Sequence, residues 1–76
     1  MENSQNLEYA VILESGPNNW SAYVPDLPGC MATGRDRQDT ERRIRRAIEF
    51  HIRCLREAGD PVPLPTSAAT MVSVAA

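Results

Sequence analysis

Two proline-bearing stretches limit this chain more than any other feature of its sequence. "YVPDLPGC", residues 23–30, carries Pro25 and Pro28, and "DPVPLP", residues 60–65, carries Pro61, Pro63 and Pro65. Proline has no backbone N–H and fixes φ, so neither stretch can be mid-helix. Between them lies one helical pattern. Ile44, Ala47, Ile48, His51, Ile52 and Leu55 recur at spacings of three and four, which forms a single stripe. Asp36 is an expected N-cap, and Asp39 in the first turn suits the helix dipole. Gly59 is a suitable C′ residue, and Pro61 enforces the stop.

The remaining segments read as strands. In "LEYAVILES", Leu7, Tyr9, Val11 and Leu13 alternate with Glu8, Ala10, Ile12 and Glu14, a period of two. "SGPNN", residues 15–19, has turn composition, and "WSAYV", residues 20–24, follows as the second arm of an antiparallel hairpin. "CMATG", residues 30–34, is a third short strand, and "ATMVSVAA", residues 69–76, is expected to be the last. The prediction is one α+β domain over residues 7–76, in the order β-β-β-α-β, after a disordered polar stretch over residues 1–6. A crossover from the third strand through the helix to the fourth favours the right-handed path. "YVPDLPGC" itself reads as a rigid corner between the second and third strands. Pro25 and Pro28 fix φ around Asp26-Leu27, Gly29 permits an unusual conformation, Asp26 bonds nearby backbone, and Leu27 anchors the corner to apolar surface.

Size predicts self-association. A domain of 76 residues buries only about 60% of its unfolded surface, and small scaffolds commonly gain stability by assembling. The formal net charge is −2, unlike the basic balance of a dedicated nucleic-acid binder. All eight basic residues are arginine, however, and six lie between Arg42 and Arg56. Cys30 and Cys54 make no metal-binding spacing and read as small buried hydrophobes. No signal-peptide pattern opens the chain, and its longest apolar run, Tyr9–Leu13, cannot cross a bilayer. A cytoplasmic protein with reduced thiols and no membrane partner is the expectation.

Several chemistries can be weighed on these residues. Two-metal nucleases need clustered carboxylates, for which Glu8, Glu14, Glu41 and Glu49 are candidates, but residues 61–76 contain no charged residue to complete a set. His51 lies on the apolar stripe with no second histidine to share a metal, so packing is the simpler role. Cys54 is one helical turn from His51, yet nothing in the sequence lowers its pKa or supplies an orienting third group. No catalytic residue, metal site or cofactor is expected. The helix face carrying Arg42, Arg45, Arg46, Arg53 and Arg56 is a candidate surface for a partner or a nucleic acid. The plainer reading is a solvated face laced by the pairs Asp39–Arg43, Glu41–Arg45, Arg45–Glu49, Glu49–Arg53 and Arg53–Glu57. Of the four aromatic residues, Trp20 suits a core edge or interface, and only Tyr23 has neighbours that suggest exposure.

The arrangement "YAVILE…WSAYVPDLPGCMATG", followed by a helix ending "LREAGDPVPLP" and a short last strand, resembles the HicB-like antitoxin family from about residue 8 to residue 75. Its most specific marks are the loop Pro25, Asp26, Leu27, Pro28, Gly29 and Cys30, the "TG" before the helix, and "GDPVP" after it. The resemblance implies a partial RNase H-like fold, a mixed four-stranded sheet of order 3-2-1-4 with one helix packed on it, and a homodimer or homotetramer. It implies a non-catalytic module that blocks a HicA-type mRNA-cleaving toxin by covering it. The alternative is a stand-alone homo-oligomeric regulatory or nucleic-acid-binding domain using the arginine face. The sequence ends directly after the expected fourth strand, so operon repression through an added DNA-binding domain is not expected. Arg37 and Glu41 stand where family members usually have apolar residues, so the helix is expected to pack mainly from Ile44 onward.

Overall fold

The structure is a computed structural model that describes residues 6–76, so the expected disordered stretch falls outside it except for Asn6. Three strands and one helix make up the α+β body: β1 (Ile12–Ser15), β2 (Trp20–Tyr23), β3 (Met31–Gly34) and α1 (Arg37–Glu57). The sheet is antiparallel throughout, in the order β1-β2-β3. Leu13 pairs with Ala22, which pairs with Ala32, and this row faces the helix. The next row, Ile12, Tyr23 and Met31, faces the other way. The period-two reading of the first strand therefore holds: Tyr9, Val11 and Leu13 all pack toward the core. Paired strand is shorter than expected, because residues 7–11 run up to β1 without joining it.

The core is small. Ala22, Val24, Leu27, Cys30 and Ile44 are buried, with Ala32, Ala47 and Ile48 packed around them. Three of the buried five, Val24, Leu27 and Cys30, come from the loop between β2 and β3. The helix is capped as its sequence predicts. The Asp36 carboxylate accepts the Asp39 N–H at 2.8 Å, and the Asp39 carboxylate accepts the Arg35 N–H at 3.0 Å. This reciprocal pairing satisfies donors that a helix start leaves open. At the other end, Asp60 donates to the Leu55 carbonyl and Gly59 to that of Arg56, a Schellman closure with Gly59 at φ 77°.

Two expectations are corrected. The helix does not pack mainly from Ile44 onward, since Asp39 and Thr40 in its first turns are buried too. Gly34 makes this possible: a Cβ there would lie 2.5 Å from the Thr40 hydroxyl and 2.8 Å from the Thr40 nitrogen. The "TG" before the helix is thus a close-approach point between β3 and α1. Nor is residues 69–76 a fourth strand of this sheet. The whole segment is exposed and unpaired, so the sheet is three-stranded rather than mixed and four-stranded. Just upstream, Pro63, Thr66 and Ser67 are held by hydrogen bonds to Tyr9 and Asp26.

Candidate functional site

Tight local turns fix the loop after β2. Leu27 donates to the Val24 carbonyl at 3.1 Å, Cys30 to that of Leu27 at 3.0 Å, and Val24 to that of Cys30 at 3.2 Å. Gly29 sits at φ 85°, where a side chain is strained. Leu27 is fully buried, as its anchoring role requires. Burial also pushes the Cys30 thiol above its ordinary pKa, which makes it an inert packing group.

Asp26 does something the sequence does not reveal. It does not cap its own turn; it reaches across 40 residues to the segment after the helix. Its carboxylate accepts the Thr66 and Ser67 backbone N–H groups, both at 2.9 Å, and both hydroxyls, at 3.1 and 2.9 Å. The backbone N–H groups of Ser67 and Thr66 hold its pKa below the ordinary value, with the two hydroxyls adding to the effect. Beside it, the Tyr9 hydroxyl donates to the Pro63 carbonyl at 2.6 Å. Burial is the main cause raising the Tyr9 pKa, and the Asp26 charge adds to it. The connector after α1 therefore crosses the start of the first strand and is tied to the β2–β3 loop. Nothing in the local pattern around Thr66 and Ser67 announces this partner, because a hydrogen bond over 40 residues leaves no periodic trace.

The arginine face differs from its expected form. Asp39–Arg43 forms at 3.1 Å, but the pairs Glu41–Arg45, Arg45–Glu49, Glu49–Arg53 and Arg53–Glu57 do not. Asp39 gathers Arg35, Arg42 and Arg43, and Glu41 turns toward Arg37 at 3.1 Å. The Arg35 N–H is the main cause holding the Asp39 pKa down, and the neighbouring guanidinium groups add to it. Arg42 is thus committed to the helix start. Among the described residues, Arg45, Arg46, Arg53 and Arg56 have no carboxylate partner. Arg53 lies over the Phe50 ring at 5.6 Å. These four exposed charges line the outer half of the helix.

Between the first strand and that half of α1 runs an open groove of about 680 Å³. Its floor is apolar: Leu7, Tyr9, Val11 and Leu13 on one side, Ile44, Ile48 and Ile52 on the other. Arg45, Arg56, Glu41 and Glu49 stand along its rim. The stripe of six helical positions thus outruns the sheet beneath it. Ile44 is buried, whereas His51, Ile52 and Leu55 are only half-covered. A stripe longer than three short strands can cover is a legible signal of an unfinished core. On the opposite face of the sheet, Tyr23 and Met31 are exposed and adjacent.

The other candidates do not converge. Glu8 and Glu14 are exposed, Glu41 faces Arg37, and Glu49 lies on the groove rim. Among the described residues no three His, Cys, Asp or Glu side chains form a metal-sized group. Cys54 is exposed rather than buried, because its position on α1 faces away from the sheet. Trp20 is half-buried at the start of β2. No helix is long and apolar enough to cross a membrane among the described residues.

The family model described as the HicB_like antitoxin of bacterial toxin-antitoxin system matches residues 9–75. The match takes in β1, the proline loop, α1 and the connector, and the chain belongs to this family. No curated protein and no solved structure matches it.

Proposed function

We propose, with that membership as premise, that this HicB-like antitoxin domain neutralises a HicA-type mRNA-cleaving toxin by direct contact, without catalysis of its own. The family match over residues 9–75 carries the reading. Inhibition of this kind needs a folded surface, not a reactive group. The chain offers such a surface on the outer half of α1, where Arg45, Arg46, Arg53 and Arg56 are exposed around the exposed Phe50 ring. Apolar area with charged groups at its edge is the usual make-up of a protein contact. The domain acts in the cytoplasm, where the toxin's substrate is made, and works as a homodimer or homotetramer.

The test is direct. A HicA-type ribonuclease is mixed with increasing amounts of this chain, and cleavage of an mRNA substrate is followed. Cleavage falls to background near molar equivalence, and the two proteins elute together. Undiminished cleavage at a tenfold excess of this chain overturns the proposal.

One observation favours a second reading. Four arginines on one helix face that have no carboxylate partner among the described residues suit phosphates as well as a protein. In that reading the domain is a stand-alone homo-oligomer that binds RNA. Binding would weaken steeply with salt and disappear when Arg45 and Arg46 are changed to Glu. RNA binding that is absent at low salt removes it.

A further inference from the structure

Residues 68–76 and the outer edge of β1 are two unsatisfied halves of one strand pair. The segment "AATMVSVAA" carries no charge, and Met71, Val72 and Val74 are among its exposed residues, Met71 almost completely so. Exposed apolar residues in a charge-free run with β-branched content mark a strand awaiting a partner. β1 lies at the edge of the sheet, and among the described residues no strand pairs with its outer side. Open edges of this kind accept an added strand. The groove lies alongside that edge, floored by Tyr9, Val11, Leu13, Ile48 and Ile52. Side chains of a strand added beside β1 would enter that groove on alternate positions.

The chain cannot fill its own edge as it stands. Tyr9 holds Pro63, and Asp26 holds Thr66 and Ser67 through four hydrogen bonds. These contacts carry the chain past the first strand to the β2–β3 loop before residue 68. Pro61, Pro63 and Pro65 stiffen the path, so the segment leaves the body instead of folding back. The dimensions agree. The molecule measures 50 × 27 × 23 Å, with a radius of gyration of 14.4 Å. A compact chain of this length would have a radius near 11 Å. The 21-residue helix accounts for only about 32 Å of the long axis. An extended nine-residue segment reaches about 30 Å, enough to run along β1 and the residues 7–11 that lead into it.

We infer that residues 68–76 of one copy add as a fourth strand to the β1 edge of a second copy, and that the exchange is reciprocal. The occupant of the groove is thus a second copy of this chain, held by backbone pairing along β1 and by Val72 and Val74 or Met71 against the helix. Reciprocal exchange gives a two-fold dimer in which both edges and both grooves close at once. A proline-stiffened connector favours such exchange, because folding back would bend it sharply. The sheet order 3-2-1-4 then arises with its fourth member from the partner.

The experiment compares the full-length chain with its Val72→Asp/Val74→Asp variant by sedimentation over a range of concentrations, together with amide hydrogen exchange. The wild-type chain is expected to sediment as a dimer, with amides of residues 70–75 protected in proportion to dimer. The variant, whose changes lie in exposed residues, keeps its circular dichroism but dissociates at concentrations about 100-fold higher or more. A wild-type monomer at 100 µM overturns the inference, as does a dimer that the variant forms equally well. Protection of residues 70–75 in a monomer overturns it in favour of pairing within one chain. Toxin neutralisation is measured separately, so its failure leaves these readouts intact.

Discussion

The loop at residues 24–30 and the segment at residues 68–76 contain similar amounts of apolar side chain and meet opposite fates. Val24, Leu27 and Cys30 are buried, while Met71, Val72 and Val74 lie open to solvent. The loop turns back on itself through three backbone hydrogen bonds and delivers Leu27 under the helix. The segment is directed outward by the clamp at Asp26 and has nothing to turn against. Hydrophobicity supplies the drive to bury a segment, and chain geometry decides where that is possible. The loop finishes the core of one molecule; the segment has to finish its core elsewhere.

The comparison breaks most severely at Leu27. Replacing it with Ala removes the largest buried side chain of the loop and leaves a cavity between the sheet and α1. A loss of about 2–5 kcal/mol is expected, which a domain this small will show as partial or complete unfolding in urea titration. If Leu27→Ala has the same midpoint as the wild type, the loop is not the anchor described.

Gly34→Ala tests the surface on which that anchor rests. Its new methyl would crowd the Thr40 backbone nitrogen and hydroxyl as well as the Asp39 carboxylate. The start of α1 must shift, at a cost of about 1–3 kcal/mol, seen as a lower thermal midpoint. An unchanged midpoint would mean that the close approach of α1 to β3 is not required.

Asp26→Asn has the smallest effect on the body and the sharpest on the contrast. It removes the charge that accepts two N–H groups and two hydroxyls, so amides of Thr66 and Ser67 should exchange faster while Leu27 and its neighbours stay protected. Acid gives the same result in the wild type. The folded pKa of Asp26 lies below the ordinary 3.8, so the clamp contributes fully above that value. It is lost as pH falls through the lower folded value, and the Thr66 and Ser67 amides should then be released. Release near neutral pH would show that the carboxylate is not the acceptor.

Much of the fold is legible in sequence because its signals are local. Asp36, Gly59 and Pro61 delimit α1 correctly, since caps and stops act within a turn of the backbone. The alternation of Tyr9, Val11 and Leu13 assigns the inner face of the first strand for the same reason. The expected Glu41–Arg45 pair gives way because Glu41 has a competing partner, Arg37, in the first turn, which helical spacing alone cannot rank. The burial of Asp39 and Thr40 is hidden until Gly34 is seen beneath them.

By itself the sequence determined three strands, one helix and their order, together with the corner at residues 23–30 and the family to which they belong. Periodicity, caps and prolines encode these through neighbours a few residues apart. Only the tertiary structure decided that Asp26 holds Thr66 and Ser67, that residues 68–76 leave the sheet, and that a groove stays open beside β1. Those outcomes depend on which distant surfaces meet, and the same alternating segment reads as a strand whether or not an edge lies within its reach.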